Sequence, residues 1–111
     1  MPRKLYFSWL DDETRITVEF LRAKKEILSF VVKLEVFRGG KWREIQRYDT
    51  HHESVHKDVL LSSGGKYRVI KYEYLDASAG LTAAIEDFKD RSRLYLGRWE
   101  DGDKSKETDG R

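Results

Sequence analysis

From Arg15 onward the chain alternates between apolar and polar positions. Ile16, Val18 and Phe20 fall on one side and Thr17, Glu19 and Leu21 on the other, the two-residue period of a β-strand. Arg22 to Glu26 reads as a connection. Beyond it Leu28, Phe30, Val32, Leu34 and Val36 share one side and Ser29, Val31, Lys33, Glu35 and Phe37 the other, and the β-branched and aromatic content favours strand over helix. Gly39-Gly40 allows the positive φ of a tight turn, after which Lys41 to Tyr48 returns as a third strand. Val55 to Leu61 reads as a fourth strand, Ser62-Ser63-Gly64-Gly65 as a turn, and Lys66 to Leu75 as a fifth. Consecutive strands joined by short turns pair as antiparallel neighbours, which predicts a meander.

Asp76 or Ser78 is placed to cap a helix in which Leu81, Ile85, Phe88, Ser92, Tyr95, Leu96 and Trp99 recur at steps of three and four. Aromatic residues at that spacing gain most by burial, so the stripe is expected to cover the sheet rather than to stack bases. The pattern therefore predicts an α+β fold: an antiparallel meander of about five strands packed against one long C-terminal helix. Residues 1–99 form the single expected domain. Residues 100–111 hold no apolar side chain and are expected to be a disordered polar tail.

A length of 111 residues allows one core, since two would each bury too little surface. No apolar run approaches the roughly 18 residues of a membrane span. The basic start, Arg3-Lys4, is followed by an apolar stretch that Asp11-Asp12-Glu13 cuts too short for a signal peptide, so a cytoplasmic protein is expected. With no cysteine, disulfides, thiolate nucleophiles and zinc-thiolate sites are excluded. Charged residues at 38%, no Asn and a single Gln are the composition expected of a thermophilic source. A net charge of +2 gives no long-range field for nucleic acid, although the acidic tail leaves the body mildly basic.

All three histidines, His51, His52 and His56, lie within six residues and are flanked by Asp49, Glu53 and Asp58. If His52-Glu53-Ser54-Val55 is a four-residue hairpin loop, His51 faces His56 and Asp49 faces Asp58. Arg47 then lies beyond Asp49 on the same face, with Tyr48, Thr50, Lys57 and Val59 on the other. Two opposed carboxylates need a cation between them: a protonated histidine, Arg47, another Lys or Arg, or a metal ion.

Three readings follow from this cluster. In the first, His51 and His56 act as general base and acid, Asp49 and Asp58 orient them, and Arg47 stabilises charge on a phosphate, the inventory of cofactor-free and metal-free RNA cleavage. Histidine suits this because both protonation states exist near neutral pH. In the second, the imidazoles and carboxylates hold zinc, manganese or iron, although no HExxH spacing is present. In the third, the hairpin tip does no chemistry and the domain binds protein or nucleic acid, with an exposed edge strand available for a homodimer. Ser54 lacks the Gly-x-Ser-x-Gly context of a nucleophile.

At Arg47-Tyr48-Asp49-Thr50-His51-His52 and His56-Lys57-Asp58 the chain resembles an uncharacterised family of small prokaryotic proteins marked by Arg-Tyr-Asp-x-x-His and then His-x-Asp. The similarity runs from about Phe30 to Tyr95 and includes Gly40-Lys41-Trp42 and Ile85-Glu86-Asp87. More distantly the chain resembles the TumE-type toxins of toxin-antitoxin pairs, whose pattern ends in His-Lys-His where this one has His56-Lys57-Asp58. That resemblance implies an endoribonuclease with RNA as substrate and a cognate antitoxin as partner. It carries functional roles only to Arg47, Asp49, His51, His56 and Asp58.

Overall fold

The computed structural model describes residues 3–51, 54–72 and 76–102. Six strands, β1 (Arg3–Asp11), β2 (Thr14–Ala23), β3 (Glu26–Arg38), β4 (Lys41–His51), β5 (Ser54–Leu60) and β6 (Lys66–Tyr72), form one antiparallel sheet in chain order. One helix, α1 (Ala77–Glu100), packs across one face. The α+β meander is as expected, with one strand more.

The extra strand is β1, where Leu5, Phe7 and Trp9 alternate with Lys4, Tyr6 and Ser8. It pairs with β2 through a turn at Asp12-Glu13, in which the Glu13 N–H donates to Asp11 Oδ1 at 2.8 Å. The connection between β2 and β3 shrinks to Lys24-Lys25, with Lys24 at φ 57°. Gly39 and Gly40 take φ of 63° and 80°, the left-handed pair that suits the right-handed twist of a two-residue hairpin.

The core lies between the sheet and α1. Ile16, Val18, Phe30, Val32, Leu34 and Val55 supply the sheet side, and Ala84, Phe88, Tyr95 and Trp99 the helix side. Asp76 caps the helix by accepting from the Ala79 N–H at 2.8 Å. The helix runs through Glu100, whose carboxylate pairs with Arg38 at 2.9 Å. The rest of the expected tail, 103–111, and the end of the expected fifth strand, 73–75, lie outside the described residues.

Gly80 lets α1 approach the sheet closely. A Cβ there would lie 2.7 Å from Val55 Cγ2 and 3.2 Å from the Phe30 ring, both buried. Gly80→Ala adds about 1 kcal/mol of helix propensity, but the clash with a stiff β-branched side chain costs about 1–3 kcal/mol. We expect a net loss, read as a lower urea midpoint with an unchanged slope.

Candidate functional site

The β4–β5 hairpin is tighter than the sequence suggests. Asp49 pairs with His56, Arg47 with Asp58 and His51 with Ser54, so Ser54 and Val55 belong to β5 and the connection is only residues 52–53. The expected His51–His56 and Asp49–Asp58 oppositions are therefore corrected by two residues. A shift of two preserves facing, so Arg47, Asp49, His56 and Asp58 remain on one side of the sheet. The shorter loop also removes the opposition of like charges, since each carboxylate now faces a basic residue across the ladder. His51 ends β4 diagonal to His56; its side chain, and all of His52 and Glu53, lie outside the described residues.

This side of the sheet is the one α1 leaves open. Strand registers set two rows across it: Glu19, Val31, Asp49, His56 and Lys71 in one, and Thr17, Lys33, Arg47, Asp58 and Val69 in the next. Arg47 Nε donates to Asp49 Oδ2 at 3.1 Å, and its Nη1 lies 3.7 Å from Glu44 Oε1. Asp58, buried on this face, pairs with Lys66 at 3.2 Å. Lys33 stands directly opposite Arg47, two cations side by side on an accessible surface. Toward β1 the same face turns aromatic: the Arg15 guanidinium lies 4.5 Å from the Phe7 ring centre and 3.9 Å from that of Trp42, and donates to Glu35 at 2.8 Å. Among the described residues no three His, Asp or Glu side chains converge as a metal site.

A second polar cluster, not foreseen from the sequence, lies on the helix side. Asp87 of α1 accepts four hydrogen bonds: Oδ1 from Tyr95 Oη at 2.7 Å and Arg91 Nη1 at 2.9 Å, and Oδ2 from Tyr48 Oη at 2.7 Å and Lys57 Nζ at 3.0 Å. Lys57 Nζ also donates to Tyr95 Oη at 3.1 Å. Burial alone would raise the Asp87 carboxyl, but the hydrogen bonds from Tyr95, Tyr48 and Lys57 outweigh it and hold it below the ordinary carboxylate value. Burial pulls the Lys57 ammonium below its usual value, with partial compensation from Asp87. Burial and the Asp87 carboxylate push both tyrosine hydroxyls well up. With its four bonds the carboxylate is fully engaged, so the cluster clamps helix to sheet.

The whole of this architecture, both faces included, falls within one family match, to Domain of unknown function (DUF7718), over residues 1–105. The chain belongs to that family. No curated protein and no solved structure matches it. No described helix is long and apolar enough to cross a membrane.

The clamp makes stability depend on pH at both ends. The Asp87 carboxyl is lower in the folded chain than its ordinary 3.8, so its contribution is present above that pH and lost as pH falls through the folded value. The tyrosine hydroxyls are raised, so unfolding gains from their ionisation once pH passes their ordinary 10.0. Lys57, lowered from 10.5, works oppositely: between its folded and ordinary values the unfolded chain binds more protons, and stability rises with pH. Urea midpoints are expected to drop below pH about 4 and above pH about 10, and Tyr48→Phe should weaken the alkaline drop. An alkaline limb identical in that variant would remove Tyr48 from the account.

Proposed function

We propose that this protein is a small metal-independent endoribonuclease acting on the open face of the sheet, and that it serves as the toxin of a toxin-antitoxin pair. The observation that carries the reading is the pairing of Asp49 with His56 on an accessible face, beside Arg47 and Lys33. A general base removes the proton of a ribose 2′-hydroxyl, the oxygen attacks the adjacent phosphorus, and the bond to the 5′-oxygen breaks as a general acid protonates it. The products are a 2′,3′-cyclic phosphate and a 5′-hydroxyl. His56 takes one of these roles and His51 the other, Asp49 orients the His56 ring, and Arg47 and Lys33 hold the phosphate oxygens as negative charge develops. Asp58, bound to Lys66, holds that cation beside Arg47.

Purified protein is expected to cleave single-stranded RNA in the presence of a chelator and to leave cyclic phosphate ends, and His51→Ala and His56→Ala each to abolish cleavage while the fold is retained. Cleavage unchanged in both variants, or none by the native protein, would discard this mechanism.

A second reading is favoured by β1, where Leu5, Phe7 and Trp9 are 59%, 44% and 56% exposed on that same face. Such a strip fits a protein partner, and binding without turnover would then be the function. Retention of a specific partner by the native chain together with no RNA cleavage would favour it over the first.

A further inference from the structure

On the helix side, the corner formed by β4, β5, β6 and the C-terminal half of α1 encloses a cleft of about 440 Å³, within the range of small-molecule sites. Two of its lining residues are buried, Gln46 at 4% and Trp99 at 5% exposure, and their Oε1 and Nε1 atoms are closed off from solvent with no hydrogen-bond partner among the described residues. Arg68 and Arg98 also line the cleft, are exposed, and pair with no acid among the described residues. Lys57 adds a third cation, with two of its three N–H donors committed to Asp87 and Tyr95. Val59, Leu60, Ile70 and the Trp99 indole add an apolar wall, beside Tyr67 and Tyr95.

We propose that this cleft binds a small heteroaromatic anion: a planar ring laid against the Trp99 indole and the aliphatic wall, carrying a phosphate or carboxylate held by Arg68 and Arg98. A flat ring fits a slot between aliphatic side chains and an indole, and a guanidinium pair grips a phosphate or carboxylate in forked geometry. Nucleoside monophosphates and heteroaromatic carboxylates share this chemistry. The site lies across the sheet from Asp49 and His56, so it stands or falls independently of RNA cleavage.

The test follows the three tryptophan indole N–H signals of the 15N-labelled full-length chain, with Trp9→Phe and Trp42→Phe used to assign the Trp99 signal. Uridine 5′-monophosphate, orotate and uncharged uridine are the probes. A saturable shift of the Trp99 signal with the phosphate probe, with orotate or with both, and a much weaker one with uridine, is the expected result; which anion shifts it identifies the source. Arg98→Gln should weaken binding about tenfold or more, as for loss of a charged hydrogen bond. A Trp99 signal unmoved by every probe at millimolar concentration overturns the proposal, and so does binding that Arg98→Gln leaves unchanged.

Discussion

Asp87→Ala is expected to bring the protein close to its unfolding threshold. The substitution leaves Lys57 Nζ buried with only the Tyr95 hydroxyl for company and strips Tyr48 Oη of its acceptor. Removing one member of a buried ion pair costs about 3–5 kcal/mol, because the remaining charge has neither water nor a partner. Against a typical total of about 5–15 kcal/mol, that is a large share. The urea midpoint should fall accordingly with the slope unchanged. Replacing the cluster together, by Lys57→Met, Asp87→Leu, Tyr48→Phe and Tyr95→Phe, should recover most of the loss, since a well-packed apolar set of similar volume is often as stable as the pair it replaces. A loss for Asp87→Ala below about 1 kcal/mol, the scale of an exposed pair, would mean that water reaches the clamp.

His56→Ala is expected to lower the RNA cleavage rate by about 10²–10⁴-fold, the usual contribution of one positioned acid or base. His56 is only partly buried on the open face, so truncation there removes little packing and the fold should survive. Asp49→Asn should lose less, because Asp49 acts through the ring rather than on the substrate. A loss in Asp49→Asn as large as that in His56→Ala would argue against this orienting role. Circular dichroism and thermal midpoints of each variant separate lost chemistry from lost fold.

Periodicity made β2 to β6 and the helix legible because each has a run of alternating or helically spaced apolar residues. β1 escaped because its Leu5, Phe7 and Trp9 were weighed as part of a leader rather than as a strand, although their alternation is as regular as that of β2. The hairpin register was wrong by two because alternation fixes only which face a residue occupies. Loop length sets the pairing, and the expected four-residue loop has the same parity as the observed two-residue connection.

The helix-side clamp left a readable trace that was passed over. Lys57 interrupts the apolar alternation of Val55 and Val59, and Asp87 adjoins Phe88 within the helical stripe. A lone charge in each of two facing apolar patterns is what a buried ion pair looks like in one dimension. The orphaned atoms of Gln46 and Trp99 leave no such trace, since whether a polar atom finds a partner depends on how three strands and a helix meet.

His56 and Lys57 are neighbours in sequence but belong to opposite sides of the sheet. A single-residue insertion or deletion between Asp49 and His56 would turn the imidazole inward and drive the ammonium out to solvent, dismantling surface and interior in one step. Length changes in this hairpin should therefore be tolerated in pairs and rejected singly, unless a bulge absorbs the odd residue. A deep insertion–deletion scan of positions 50–55, scored by soluble yield, would display that even–odd rhythm.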